Sequence, residues 1–226
     1  MKMETRPRIL VLSAFEPELT ELRRLLAAVP RSVATGVVCA PAGIGLPDAA
    51  AGAAAALARH RPRQVVFIGT AGSYLPTVPV GGVVVARRLH LISAAVARGQ
   101  GYLPGPLVCE APTDAELRRG LVRAATTAHV RARTVDVATP LAITTSPALA
   151  RAFATATGAA AENLEAFAVA RAAAIAGVPF AAVLGISNRV GPRAHEEWRR
   201  HQDGAMRAVA SVVFDDLRGR FKAPSR

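Results

Sequence analysis

The sequence predicts an α/β fold in a single domain that spans residues 1–226, with a central, mostly parallel sheet flanked by helices. Short apolar runs alternate along the chain with segments of helical periodicity. The apolar runs contain no alternating polar residues, which is typical of strands buried on both faces. No linker or internal repeat divides the 226 residues, which are enough for one large core. Residues 1–7 and 219–226 are expected to be frayed.

The stretch from Ala159 to Gly191 carries the strongest signals. An Ala-rich segment over 162–176 predicts a helix that ends at Gly177, and the apolar run 178–186 predicts a buried strand. Ligands of open α/β sheets bind at the carboxyl ends of strands, which makes Ser187 and Asn188 candidate ligand contacts. Glu165 is a second candidate, because an Ala-rich helix has no structural need for an acid at that point.

The first strand also delivers polar groups to its carboxyl end. Residues 8–14 predict a buried strand, and Pro17 fits the first turn of the helix that follows. Glu16 and Glu18 lie in that turn. They either serve only the helix dipole or belong to a site, and these residues alone leave both interpretations open.

The rest of the chain continues the alternation of strands and helices. Strands are predicted over 33–40, 63–68, 81–86 and 130–138, with a short one over 142–145. Helices are predicted over 48–59, from an N-cap at Thr113 to 128, over 146–157, and over 192–217. Segment 99–112 is rich in Gly and Pro and predicts a loop, and 87–98 has no clear pattern. The small residues of 69–73 predict either a loop with ligand-facing N–H groups or a plain glycine turn.

Composition narrows the class of function. The net charge is +12, but almost all of the 28 basic residues are Arg spread along the chain, without a basic run or interleaved aromatics. We therefore expect no nucleic-acid partner. Cys39 and Cys109 lack metal-ligand spacing and the five histidines are scattered, so we expect no metal and no cofactor. The start of the chain has no signal-like segment and no span is long enough for a membrane, which predicts a cytoplasmic protein.

Taken together, several motifs resemble the purine nucleoside phosphorylase/nucleosidase family, and within it the futalosine hydrolase-like nucleosidases. The resemblance covers nearly the whole chain in order. Its two most specific motifs are Glu162-Asn163-Leu164-Glu165-Ala166, similar to the family's Glu-Asn-Met-Glu-Gly, and residues 185–193 followed by Trp198. The weaker ones are residues 9–18, Gly43-Ile44-Gly45 and Gly69-Thr70-Ala71-Gly72-Ser73.

The resemblance implies a mixed sheet that closes toward a barrel, a homodimer or larger homo-oligomer, and cleavage of an N-glycosidic bond in a purine nucleoside. It implies three catalytic residues. Glu18, with Glu16 as the alternative, would activate water, Glu165 would accept the ribose hydroxyls, and Asn188 would read the base at N7 and the 6-position. The further substrate-binding residues would be Ala71, Gly72, Ser73, Thr145, Asn163, Leu164 and Ser187.

Asn188 favours a 6-oxopurine leaving group, since adenine-specific relatives carry Asp there, and the acidic first loop favours water over phosphate. The expected reaction is hydrolysis of futalosine to hypoxanthine in menaquinone synthesis. The alternatives are a methylthioadenosine/S-adenosylhomocysteine nucleosidase, a purine nucleoside phosphorylase and a non-catalytic nucleoside-binding protein.

Members of the family usually carry acidic residues after the strand that is predicted here over 81–86. This sequence has Arg87, Arg88, His90 and Arg98 there instead. Either these residues line the site and bind a carboxylate of the substrate, or they are surface residues. The high frequency of Arg in this chain favours the second interpretation.

Overall fold

The computed structural model describes residues 9–29 and 36–222, with the side chains of 221 and 222 excepted. The expected fraying of residues 1–7 and 223–226 therefore lies outside the described residues, as does the predicted start of the second strand at residue 33. Residues 219–222 are helical, because the last helix continues to Lys222 rather than ending near Leu217.

Eight strands and seven α-helices make up the described chain. The strands are β1 (Ile9–Ser13), β2 (Val37–Pro41), β3 (Gln64–Ser73), β4 (Val83–Leu91), β5 (Glu110–Pro112), β6 (Ala132–Thr139), β7 (Ala161–Glu162) and β8 (Phe180–Arg189). The helices are α1 (Thr20–Ala27), α2 (Leu46–His60), α3 (Ala94–Ala97), α4 (Ala115–Thr127), α5 (Pro147–Thr157), α6 (Ala166–Ile175) and α7 (Ala194–Lys222). A 3-10 helix, Glu16–Leu19, joins β1 to α1.

The sheet is mixed and closes on itself. Strand β3 pairs with β7, β7 with β6, β6 with β4, β4 with β8, and β8 again with β3. The pairings β3–β7 and β4–β8 are antiparallel, and the other three of this ring are parallel. Strands β1 and β2 extend the sheet from β3, and β5 extends it from β4. The predicted α/β class with a barrel-like, mostly parallel sheet is confirmed.

The two edges of β3 are used differently. One edge pairs with β8 along nearly its whole length. The opposite edge pairs with β1 over Gln64–Phe67 and with β7 only at Gly72 and Ser73. Between these two pairings the peptide groups of β3 face an opening in the sheet, and their hydrogen bonds must be satisfied by side chains.

Helices cover both faces of the sheet. Helices α2 and α6 pack on one face with a core of small residues, and α1, α4 and α7 pack on the other. Because only 4% of the chain is aromatic, Ala, Val, Leu and Ile fill both cores, as the composition predicts. Both cores include residues of β3 and β8, which lie between the two helical layers.

The structure corrects five local predictions. Segment 99–112 is not a loop throughout, because its last three residues form β5. Residues 69–73 are not a loop, because β3 continues through them to Ser73. The predicted strand over 142–145 is a loop. The helix predicted from Glu162 begins at Ala166, since Glu162 belongs to the short strand β7. Asp114, not Thr113, caps α4: the Asp114 carboxylate accepts from two backbone N–H groups, while the Thr113 hydroxyl donates to the carbonyls of Ala86 and Arg87 in β4.

The close contact of α7 with β8 depends on Gly185, which leads to a prediction. A Cβ added at Gly185 would lie 2.7–2.8 Å from the Ala205 main chain and its Cβ. We expect Gly185→Ala to lower the free energy of unfolding by about 1–3 kcal/mol through overpacking. Gly204→Ala, on the same helix, has room for a methyl group and should raise it by about 0.5–1 kcal/mol. Urea unfolding of both variants checks this, and equal stabilities would contradict it.

Candidate active site

A cavity of about 350 Å³ opens where the carboxyl ends of β1, β3 and β8 meet the start of α6. This volume lies within the range of small-molecule binding sites. The predicted site residues that line it are Glu18, Ala71, Gly72, Asn163, Leu164, Glu165, Ser187 and Asn188. The other lining residues are Ala14, Phe15, Ile44, Thr70, Ile143, Glu162, Ala194, His195 and Trp198.

Glu18 is buried, with 5% of its surface exposed, and both of its carboxylate oxygens are held by the backbone. Oε2 accepts from the N–H of Ala14 at 3.1 Å, and Oε1 accepts from the N–H of Thr70 at 3.1 Å. Desolvation by burial, opposed by these hydrogen bonds and assisted by the charge of Glu165, raises the pKa of Glu18 to about 8. Glu18 is therefore a positioned carboxyl group whose affinity for a proton is suited to neutral pH.

Glu16 has a different environment from Glu18. Its side chain is about half exposed, and it forms an ion pair with Arg23 on the protein surface. It does not line the cavity. Of the two acids that the sequence left as alternatives, the structure brings only Glu18 to the other predicted site residues.

Glu165 lies at the start of α6, where its Oε1 accepts from the N–H of Gly45 at 2.9 Å. Burial is the largest cause of the raised pKa of this carboxyl group. Asn163 holds the turn before it: its Oδ1 accepts from the N–H groups of Glu165 and Ala166, and its Nδ2 donates to the Thr70 carbonyl at 3.0 Å. Asn163 of the Glu-Asn-Leu-Glu motif therefore bonds the first two N–H groups at the start of α6 and fixes Glu165 against β3.

Ser187 and Asn188 reach the cavity through a β-bulge. In the pairing of β3 with β8, Ala71 is opposite Ile186 but Gly72 is opposite Asn188, so Ser187 is one extra residue. Such a bulge changes the direction of side chains, and here both consecutive residues line the same cavity. The Ser187 hydroxyl donates to Asn188 Oδ1 at 2.9 Å, and Asn188 Nδ2 donates to the Arg189 carbonyl at 3.1 Å, which fixes the amide.

Thr70 connects three parts of the site. Its N–H bonds to Glu18, its carbonyl to Asn163, and its hydroxyl accepts from Nε1 of Trp198 at 3.2 Å. His195 stacks on Trp198 with ring centroids 5.7 Å apart. The first turns of α7 thus form an aromatic wall of the cavity. The hydrogen bond from Trp198 to Thr70 joins this wall to β3.

Glu162 is a third buried acid in the cavity wall, and the sequence assigned it no role. Its Oε1 accepts from the N–H of Thr144 at 3.0 Å and its Oε2 from the Tyr74 hydroxyl at 2.8 Å. Burial is the largest cause of its raised pKa. The one available signal was its position, three residues before Glu165 in the same motif.

Two predicted site residues do not line the cavity. Ser73 is buried, but its hydroxyl donates to the Leu75 carbonyl at 2.7 Å and so closes the turn after β3. Thr145 is exposed, because its neighbour Thr144 is the residue that bonds to Glu162. Thr70, His195 and Ile143 line the cavity without having been assigned to it. The only sequence signal for Thr70 was its place in the Gly-Thr-Ala-Gly-Ser motif. His195 was interpreted from the sequence as a surface residue, but it lines the cavity.

The basic segment does not line the cavity either. Arg87 forms two hydrogen bonds with Asp136, at 2.7 and 2.9 Å, and Arg88 pairs with Glu110 at 2.9 Å. The ring nitrogens of His90 lie 3.4 Å from Asp136 and 3.6 Å from Glu110. Arg98 is exposed after the short helix α3. The hypothesis that these residues form a basic cavity lining is wrong, since acids of β5 and β6 hold three of them elsewhere.

Two features are absent from the described residues. Over 9–29 and 36–222, no group of three or more His, Cys, Asp or Glu side chains is arranged to hold a metal ion. Within the same ranges, no helix has the length and apolar character needed to cross a membrane.

The family model of the phosphorylase superfamily matches residues 8–216. The chain belongs to the phosphorylase superfamily. A futalosine hydrolase from Streptomyces coelicolor is 36% identical to this chain over 142 residues. The match covers 60% of this chain and 57% of the Streptomyces protein. The match therefore spans a little over half the length of the curated relative.

Solved structures of superfamily members share the fold. A 5′-methylthioadenosine/S-adenosylhomocysteine nucleosidase from Helicobacter pylori superposes with a TM-score of 0.84 at 16% identity, over 94% of this chain and 98% of its own. A futalosine hydrolase mutant from the same organism also has a TM-score of 0.84, at 17% identity, over 94% and 99% of the two chains. At these identities the likeness establishes the architecture of the sheet and helices.

The environment of Glu18 predicts a measurable titration. In protein labelled with 13C at glutamate carboxyl carbons, one resonance should titrate near pH 8, because burial favours the protonated form. That resonance should be missing from Glu18→Gln and still present in Glu16→Gln, the matched surface variant. Titration of every glutamate below pH 6 would contradict the assigned environment.

Proposed function

We propose that this superfamily member is a nucleosidase that hydrolyses the N-glycosidic bond of a 6-oxopurine nucleoside, with futalosine as the substrate and hypoxanthine as the released base. The observation that carries the proposal is the joint placement of Glu18, Glu165 and Asn188 around one cavity. The identity to a futalosine hydrolase and the matching order of the motifs support the choice of substrate.

Glu18 is the proposed base that activates water. Hydrolysis needs a group that removes a proton from water as it attacks the anomeric carbon. A carboxyl group with a pKa of about 8 is, in its ionised form, a stronger base than an ordinary carboxylate. The two backbone N–H donors fix the carboxylate, so the water that it holds would be fixed in turn. Glu165, at the other side of the cavity, is the proposed acceptor of the ribose hydroxyls.

The charge of the cavity favours hydrolysis over phosphorolysis. Three carboxyl groups line it, from Glu18, Glu162 and Glu165, and its lining contains no Lys or Arg. A phosphate ion would be repelled by any of these groups that is ionised, whereas a ribose that becomes positively charged in the transition state would be stabilised. Glu16, which the sequence placed with Glu18 in this argument, is neutralised by Arg23 on the surface; Glu162 and Glu165 replace it.

Asn188 is the proposed reader of the purine at N7 and the 6-position. An amide side chain offers N–H donors and an acceptor oxygen, so it can donate to the 6-oxo group and can accept from N7 when that nitrogen carries a proton. The bulge and the Ser187 hydroxyl hold the amide in one orientation. This favours hypoxanthine over adenine and makes a methylthioadenosine nucleosidase the second candidate, which the shared fold supports.

The wider setting follows from the same proposal. A futalosine hydrolase would act in menaquinone synthesis, in the cytoplasm and as a homo-oligomer. Ala71, Gly72, Asn163, Leu164 and Ser187 would contact the substrate through the cavity wall. Ser73 and Thr145, which do not line the cavity, are left out of the proposed contacts.

Purine release from a panel of futalosine, inosine and methylthioadenosine, each with and without phosphate, tests the proposal. We expect hypoxanthine from futalosine at a rate that does not depend on phosphate. A strict need for phosphate would instead indicate a phosphorylase, and faster adenine release would indicate the methylthioadenosine reaction. Binding of hypoxanthine without any cleavage would indicate a non-catalytic binding protein.

Variants of the two neighbouring acids separate catalysis from general charge effects. Glu18→Gln should lower kcat by about a hundredfold to ten-thousandfold, because the amide cannot accept the proton of water. Glu16→Gln removes one negative charge nearby but leaves the cavity unchanged, so its kcat should stay near that of the wild type. Steady-state hypoxanthine release measures both, and similar losses in the two variants would refute the assignment of Glu18.

A further inference from the structure

Glu162 is the buried acid that the proposed mechanism leaves without a role. It lies in the same cavity as Asn188, yet water activation and ribose binding are assigned to Glu18 and Glu165. Six per cent of its surface is exposed, and it lines the cavity. A buried carboxylate is costly unless it is well bonded or used.

The sheet places Glu162 and Asn188 in one row. Gly72 of β3 is opposite Glu162 of β7 on one side and opposite Asn188 of β8 on the other. Residues that are opposite each other on neighbouring strands project their side chains to the same face of a sheet. Glu162 and Asn188 therefore stand on the same face, separated by a residue that has no side chain.

Gly72 lets three side chains meet closely above the sheet. A Cβ at this position would lie 2.8 Å from Val190 Cγ2, 3.0 Å from Asn188 Nδ2 and 3.6 Å from Glu162 Cγ. Asn188 and Glu162 therefore flank Gly72 on the same face, with the Val190 methyl group beside them. If a purine bonds to Asn188 through one edge, Glu162 is the next polar side chain that this edge meets along the row of Asn188, Gly72 and Glu162.

We infer that Glu162 reads the 1-position of the purine and that its carboxylate accepts the N1–H of a 6-oxopurine. This inference rests on the proposed function. The 6-position lies between N7 and position 1 on the purine ring, so a group beside Asn188 in the plane of the base meets position 1. Hypoxanthine carries a hydrogen there, whereas adenine has a lone pair that would face the carboxylate oxygens.

Burial raises the pKa of Glu162, but the hydrogen bonds that this carboxyl group accepts lower that pKa and so favour the ionised form. Both of its known partners, the Thr144 N–H and the Tyr74 hydroxyl, act as donors to it. Each carboxylate oxygen has a second lone pair, so the group can accept one more hydrogen bond from a ligand. Tyr74 and Thr144 therefore hold Glu162 in place without using up its capacity to accept.

Glu162→Gln is the decisive variant, because it keeps the local bonds. The amide oxygen can accept from Thr144, and the amide nitrogen can donate to the Tyr74 hydroxyl, which also acts as an acceptor. The second amide hydrogen then becomes available to the lone pair of adenine N1. The ratio of kcat/KM for inosine to that for adenosine should fall about tenfold or more in this variant.

Glu165→Gln is the matched control. It removes a buried acid from the same cavity, but one that is proposed to face the ribose, which both nucleosides share. It should lower both rates and leave their ratio unchanged. A ratio that stays constant in Glu162→Gln, or that changes equally in both variants, would overturn the inference for Glu162.

Calorimetric binding of free bases to the wild-type protein provides a measurement without a variant. Hypoxanthine should bind about tenfold or more tightly than 1-methylhypoxanthine, in which a methyl group replaces the N1 hydrogen. Equal affinities would overturn the inference while leaving the nucleosidase proposal intact. A wild-type protein that neither binds hypoxanthine nor cleaves any nucleoside would instead refute the proposed function, and the inference with it.

Discussion

The site depends on one opening in the sheet, on the edge of β3 between its pairings with β1 and β7. A strand edge inside a protein cannot leave its peptide groups without hydrogen bonds. At Thr70 the N–H bonds to Glu18 and the carbonyl accepts from Asn163. Two site residues therefore bond to the strand edge where a neighbouring strand is missing, and this fixes an acid and the start of a helix to the same residue, Thr70.

The burial that makes Glu18 useful also costs stability. Its pKa in the folded protein is about 8, above the ordinary value of 4.5, so the folded state binds this proton more tightly than the unfolded state does. The stability contribution of Glu18 is thus largest below pH 4.5 and is lost as the pH rises toward about 8. The ionised form needed to activate water is the form that the fold tolerates least, as is common at catalytic sites.

Much of this arrangement could be predicted from the sequence. The α/β class followed from apolar runs that alternate with helical periodicity, and Glu18, Glu165 and Asn188 were found as polar residues at the ends of predicted strands or beside them. The closure of the sheet was accessible only by resemblance. Local patterns do not specify which strands pair, and the antiparallel β4–β8 pairing joins residues about a hundred positions apart.

Other features depend on tertiary contacts that no local signal encodes. The bulge at Ser187 exists only relative to β3, so the sequence could not show that two consecutive residues line one cavity. Residues 69–73 have a loop-like composition, but β8 pairs with them and extends the strand. Arg87 and Arg88 suggested a basic lining because their partners, Asp136 and Glu110, lie 49 and 22 positions away in the sequence.

The pH dependence of kcat/KM for phosphate-independent hypoxanthine release tests the central claim most directly, because this quantity reports ionisations of the free enzyme. If buried Glu18 must be ionised to activate water, kcat/KM should rise about tenfold per pH unit below its pKa and level off above a pH of about 8. A profile that is flat between about pH 6 and 9, or that falls with rising pH across that range, would contradict the assignment of Glu18 as the base.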